Sequence, residues 1–183
     1  MIKKIIAIAA FVLINVNLLS AQEIKWMTFN EAIAAQKKNP KKIFMDVYTV
    51  WCGPCQQLEK KTFNNKDVAK YINENYYAVK FNGEGNEVVN YKGQKFENKG
   101  YDPAKAQRRN APHPFANYLQ VQAYPTMMFF DEKGEFLQPL VGYFSPTQIE
   151  MFLKLFAKDD FKNIKSQEDF QNYQSNFKGT FKE

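Results

Sequence analysis

The chain has two cysteines, and they stand three apart in Trp51-Cys52-Gly53-Pro54-Cys55. The pentapeptide follows the apolar run Ile43-Phe44-Met45-Asp46-Val47-Tyr48 and precedes a long helical pattern, which places both thiols at a strand-to-helix junction. That arrangement suits dithiol–disulfide exchange. Unpaired backbone N–H groups at a helix start favour a thiolate on Cys52. Cys55, one turn inward, is placed to attack a mixed disulfide formed by Cys52.

Three other uses compete for the pair. A purely structural disulfide across so short a loop would restrict the unfolded chain by roughly 2 kcal/mol, against about 3 for a fifteen-residue loop. A structural zinc site wants four ligands, and the rest of the chain offers one histidine, His113, and no further cysteine. Copper(I) held by the two thiolates, or a zinc half-site shared between chains, needs further assumptions. Two inert thiols are the third alternative. Redox exchange is the reading favoured, with no metal and no cofactor.

The elements around the pair follow from periodicity and caps. Thr28-Phe29-Asn30-Glu31 reads as a capping box opening a helix to about Lys38, ended by Asn39-Pro40. Lys42 to Thr49 is almost unbroken in apolar character, as a buried central strand requires. A helix runs from the cysteines towards Thr62, Asn65 caps another, and Tyr76 to Phe81 is the next strand. Strand, helix and strand in that order imply parallel pairing through a right-handed crossover. Residues 82–118 break the rhythm with Gly83, Gly85, Gly93 and Gly100, then Pro103, Pro112 and Pro114; short helices are expected at 103–109 and 115–119. Thr126 to Phe130 and Glu135 to Tyr143 form a hairpin about Asp131-Glu132-Lys133-Gly134. Ser145-Pro146-Thr147-Gln148 starts a helix with stripe Ile149, Phe152, Leu153 and Phe156, and a last helix is expected near 167–177.

Residues 1–21 read as an export signal: Lys3 and Lys4, then an apolar run from Ile5 to Leu19, then Ser20-Ala21 before Gln22. Fifteen positions are short for a spanning helix, which needs about 20, so cleavage after Ala21 is expected rather than retention as an anchor. The remaining 183 − 21 = 162 residues make one domain, and loss of the two lysines lowers the formal charge from +6 to 6 − 2 = +4. That mild charge and the lack of a nucleic-acid-reading motif argue against a nucleic-acid partner. Lys37, Lys38, Lys41 and Lys42 around Pro40 read as a solvated basic turn. An exported chain with two cysteines cannot be a multi-disulfide scaffold, so its Phe- and Tyr-rich core must hold it together.

Over residues 40–157 the order of elements and motifs resembles the thioredoxin superfamily. Trp51-Cys52-Gly53-Pro54-Cys55 matches its active-site motif and Tyr124-Pro125-Thr126 its cis-proline loop. Gly142 matches its glycine before the final helix, Asp46 its acid six positions before the first cysteine, and Lys80 its lysine on the following strand. The pattern is most similar to the group related to the periplasmic C-terminal domain of thiol–disulfide interchange reductases, with Thr62-Phe63 and Asp67-Val68 in place. The resemblance implies an α/β thioredoxin-like fold, a central mixed sheet flanked by helices. It casts Cys52 as the exposed attacking thiol and Cys55 as the shielded resolving thiol. Asp46 is then the buried acceptor of the Cys55 proton and Lys80 a charge that tunes it. Trp51, Gly53 and Pro54 would form the rim, and the cis Tyr124–Pro125 loop would offer Tyr124 backbone to an extended substrate strand.

By the same resemblance, Gly-Pro between the cysteines belongs to the reducing branch. The expected activity is reduction of disulfides in periplasmic proteins, with a membrane-embedded reductase as electron donor. A disulfide oxidase, and a non-catalytic thioredoxin-fold protein that binds polypeptide or hands over copper, stay open. The span from Lys80 to Pro125 exceeds a minimal member by roughly 25 residues, so the 82–118 insert is expected to carry specificity. Its Arg108-Arg109 read as substrate contacts or surface, and Pro112-His113-Pro114 as structural. The extension over 159–183 is expected to cover an edge.

Overall fold

A computed structural model describes residues 23–183; the export signal expected over 1–21 lies outside the described residues. Strand β1 (Trp26–Met27) leads into α1 (Phe29–Lys38), whose Thr28 and Glu31 form the anticipated reciprocal cap. Strand β2 (Lys42–Tyr48) follows, then α2 (Gly53–Leu58), which continues as a π-helical segment, Glu59–Phe63. Helix α3 (Lys66–Asn75), capped by the Asn65 side chain, returns the chain to β3 (Tyr76–Asn82).

The five-stranded sheet has the order β1-β3-β2-β6-β7, where β6 is Thr126–Phe130 and β7 is Phe136–Val141. β2 pairs parallel with β3, placing Asp46 beside Lys80, and antiparallel with β6, placing Asp46 beside Met127. Its central position explains the nearly continuous apolar run, because both faces are covered. Alternation then sorts its side chains. Ile43, Met45 and Val47 join Phe29, Phe81, Phe115 and Phe130 on one face; Phe44 joins Leu58, Phe63, Ile72 and Phe129 on the other. Asp46 shares the parity of Phe44 and so belongs to the face covered by the cysteine helix. β1, parallel to β3 through Trp26–Ala78 and Met27–Val79, was not anticipated. Two residues are too few to show an alternation.

Seven phenylalanines are essentially inaccessible to solvent: Phe29, Phe44, Phe63, Phe81, Phe115, Phe129 and Phe130. Each contributes roughly 1.5–3 kcal/mol relative to exposure, as much as closing the loop between the cysteines. The fold therefore rests on its aromatic cores, and breaking the disulfide is compatible with keeping it.

The insert is more ordered than its composition suggests. Strands β4 (Val89–Tyr91) and β5 (Gln94–Phe96) form a hairpin about Lys92 and Gly93, both at positive φ, and Val89, Tyr91 and Phe96 pack against Phe29 and Phe115. The helix expected at 103–109 is only a 3₁₀ turn, Pro103–Lys105. Farther on, Asn110 accepts from Asp102 N–H at 2.9 Å and donates to Asp102 C=O at 2.8 Å, which folds 102–110 into a closed loop. His113 is buried at the start of α4 (Pro114–Tyr118): Nδ1 accepts from Phe115 N–H at 3.0 Å, and Nε2–H donates to Glu87 C=O at 2.7 Å. Burial holds its pKa below the usual histidine range, so it is a neutral structural residue.

Lys37 and Lys38 of the basic turn are exposed, as expected, but Lys42 is not. Lys42 is 5% exposed and bridges Glu132 at 2.5 Å and Asp159 at 2.9 Å, because it opens the central strand against the hairpin turn and the end of α5 (Pro146–Ala157). Beyond α5, the chain forms α6 (Gln167–Asn176), whose Phe170 and Tyr173 join the core on the α5 side. The final residues cross the starts of α3 and α5 instead of following a sheet edge: Asn65 donates to Lys182 C=O, and Phe181 packs on Tyr71. The anchor is Glu150, a carboxylate on α5 with no exposed surface. It accepts from Thr180 N–H at 2.7 Å, Phe181 N–H at 2.9 Å and Lys154 at 2.5 Å. Glu150→Ala should cost about 3 kcal/mol in denaturant unfolding and expose residues 177–183 to limited proteolysis, since it strands two backbone donors and an ammonium.

Candidate active site

Cys52 and Cys55 are joined as a disulfide with Cα atoms 5.3 Å apart. Cys52 caps α2, and its Sγ accepts from Cys55 N–H at 3.1 Å. A sulfur held this way is stabilised as thiolate once the disulfide opens. Cys52 was expected to be exposed, but it is 4% exposed and Cys55 6%. The Cys52 sulfur, bonded to Cys55, lies against the first helical turn. Gly53 and Pro54 are the exposed members of the motif, and a Cβ at Gly53 would meet nothing within 4 Å. That face of the helix is open to a partner.

Behind the helix lies a charged array. Asp46 is 1% exposed; Oδ2 meets Lys80 Nζ at 2.8 Å, and Oδ1 has no hydrogen-bond partner among the described residues. Burial pushes the Asp46 pKa up, Lys80 pulls it partway back, and Glu59 adds to the rise. Lys80 also bonds Glu59, and its ammonium lies 4.8 Å from the Trp26 ring, 5.1 Å from Tyr48 and 5.2 Å from Phe63. Burial works against the Lys80 charge, but the two carboxylates outweigh it and hold its pKa above the ordinary lysine value. Lys80 and Glu59 line a cavity of about 350 Å³ that reaches Cys55, with Tyr48, Thr49 and Gln56 on its walls. The cavity thus connects Cys55 with the Lys80 ammonium that pairs with Asp46. Glu59 was not singled out from the sequence, although its position four residues after Cys55 puts it on the same helical face.

The rim is built around Trp51. Its Nε1–H donates to Glu84 at 2.7 Å, its ring meets Tyr124 edge-on at 6.1 Å, and the Arg109 guanidinium lies 4.3 Å above it. Glu84, buried, also accepts from Asn110 N–H at 2.8 Å. Glu84 carries no sequence signal, since its role arises only when the insert folds back. The Tyr124–Pro125 bond is cis, as anticipated, and among the described residues Tyr124 N–H and C=O have no hydrogen-bond partner. The Tyr124 ring sits on Gly83, where a Cβ would lie 2.5 Å from it, and burial pushes its hydroxyl pKa up to about 12. Every residue assigned to the site, Asp46, Trp51, Cys52, Gly53, Pro54, Cys55, Lys80, Tyr124 and Pro125, thus belongs to the α2 start, its covered strands or the loop ending at β6.

Because the folded state holds Asp46 protonated to higher pH than the unfolded chain, stability should fall as pH rises from the ordinary 3.8 through the raised folded value. Asp46→Asn should flatten that dependence in unfolding at stepped pH, and slow resolution of a mixed disulfide by about 100-fold. Glu59→Gln, which removes a charge that raises Asp46, should move the pH profile of resolution downward.

Known proteins fit this geometry. The model of the thioredoxin-like domain matches residues 29–157. Over 106 residues, 58% of this chain, the sequence is 27% identical to the thiol:disulfide interchange protein DsbD of Salmonella choleraesuis, of which the match spans 14%. A thioredoxin-fold protein from Helicobacter pylori superposes with a TM-score of 0.54 at 20% identity, over 84% of this chain and 86% of that one. A candidate disulphide-isomerase from Bacteroides thetaiotaomicron gives 0.50 at 27% identity, over 76% and 97%. Strand order, cysteine placement and the 29–157 match agree, and the chain belongs to the thioredoxin-like domain family.

Proposed function

We propose that this chain is an exported thiol–disulfide oxidoreductase that reduces disulfides in periplasmic proteins through Cys52 and Cys55. The observation that carries the reading is the Cys55 N–H to Cys52 Sγ hydrogen bond at the helix start, which favours a thiolate at the attacking position. The Cys52 thiolate attacks one sulfur of the partner disulfide; that S–S bond breaks and the other partner sulfur leaves as a thiolate. Cys55 gives its proton to Asp46 and attacks the Cys52 sulfur. The mixed disulfide breaks, the second partner thiolate leaves, and the Cys52–Cys55 disulfide remains. Two electrons have passed to the partner, whose thiolates take up protons from the Asp46 side and from water. A donor dithiol, assigned to a membrane-embedded reductase, restores the pair by the same steps in reverse. Tyr124, with its backbone groups unpaired, pairs with an extended partner strand beside the disulfide.

Three points support direction and place. Gly-Pro lies between the cysteines; the relative from Salmonella is named for thiol:disulfide interchange; and Lys3, Lys4 and the following apolar run have the order of an export signal. In graded dithiothreitol or glutathione buffers, thiol trapping should give a potential near the roughly −270 mV of thioredoxin. A value near −120 mV, that of the strong bacterial oxidant, would replace reductase with disulfide donor. Mass spectrometry of protein recovered from the periplasm should find a mature chain beginning at Gln22.

A further inference from the structure

We propose that Arg109 is the specificity residue of this site, reading an acidic side chain next to the disulfide of a polypeptide partner. The inference deepens the reading above and rests on it: exchange with polypeptide disulfides is taken, and the question is which ones. Arg109 belongs to the insert, outside the cysteine motif, yet its guanidinium is carried to the rim and stacked 4.3 Å from the Trp51 ring. A guanidinium over an aromatic face keeps its N–H edge available to bind a carboxylate. Among the described residues no carboxylate pairs with that edge, and the side chain is exposed. The loop that presents it is fixed, not adventitious. Asn110 brackets Asp102, and Asn110 N–H binds the same Glu84 carboxylate that holds Trp51 Nε1–H.

The surrounding charges point the same way. The rim carboxylate Glu84 is buried and held by Trp51 Nε1–H and Asn110 N–H, and Asp102 pairs with Lys105. Lys60, which lines the cavity at Cys55, and Arg108, next to Arg109 in the chain, have no ion pair among the described residues. A partner that lays a strand across Tyr124 therefore meets the Arg109 cation beside it. An acidic residue flanking its disulfide is attracted, and a basic one is opposed. Trp51 sits between Arg109 and Tyr124, which puts the cation beside the strand-binding loop.

The test uses three peptides with the same intramolecular disulfide and flanks of Glu, Ser or Lys, reduced by the pre-reduced mature protein at low salt. The Glu peptide should react about tenfold faster than the Lys peptide, with the ratio collapsing in high salt. Arg109→Gln should bring the ratio near one, Arg109→Glu should invert it, and Arg109→Lys should retain part of it. A merely structural role in seating Trp51 would slow all three peptides alike and leave the ratio unchanged. Equal rates in the wild-type protein, or a preference that survives Arg109→Gln, would overturn the assignment and leave the exchange reading standing. If dithiothreitol reduces the pair but no peptide oxidises it again, the polypeptide-exchange reading falls, and this inference with it.

Discussion

Burying one carboxylate in the central strand is the constraint to which the catalytic half of this molecule answers. Asp46 lies in the middle of β2, among residues that reach no solvent, and a lone charge there would cost several kcal/mol. Lys80, in register on the neighbouring strand, offsets that cost. Lys80 in turn needs company, and gets it from several elements at once: Trp26 on β1, Tyr48 at the end of β2, and Glu59 and Phe63 on the π-helical segment. The short edge strand and the irregular stretch of helix are thus both contributors to the surroundings of a single ammonium. The compensation is incomplete, since Asp46 Oδ1 stays unpaired and the carboxyl pKa stays raised. An incompletely compensated acid takes up a proton more readily than a fully satisfied one.

The second organising contact is the clamp on Trp51. Three separate segments meet there: the motif itself, the insert through Glu84 and Arg109, and the cis-proline loop through Tyr124. The insert is therefore part of the wall of the site. Its hairpin is welded to the opposite core by Tyr91, Phe96 and Phe115, so the rim residues are presented from a rigid base. Gly53 and Pro54 stay open beside this wall, leaving a gap where a partner strand can approach the sulfurs.

Stability and chemistry are kept apart. Aromatic packing on the two faces of the sheet supplies most of the apolar burial, and the Glu150 carboxylate ties the last residues across two helices. Neither depends on the disulfide. A cysteine pair that the fold does not need for integrity can alternate between oxidised and reduced forms without unfolding the domain.

Much was legible from the chain alone. Strong local signals were enough for the β2 strand, the capped helices at Thr28, Asn65 and Ser145, the hairpin at Asp131–Gly134 and the cysteine pair at a helix start, because caps, turns and periodicity act within a few residues. The motif order around Cys52, Asp46, Lys80 and Pro125 carried the family. What the tertiary structure decided depends on approach between distant segments. Lys42, read as solvated, is buried because the ends of two remote elements bring Glu132 and Asp159 to it. The 103–109 stretch is a closed loop rather than a helix because Asn110 ties back to the Asp102 backbone and Glu84 holds Asn110 N–H. Glu59, Glu84 and Arg109 acquired their places at the site only when β3, the insert and the cysteine helix converged. Local free energies of a few tenths of a kcal/mol write elements into sequence, whereas burial and charge pairing across the fold are worth several and are invisible until the chain has closed.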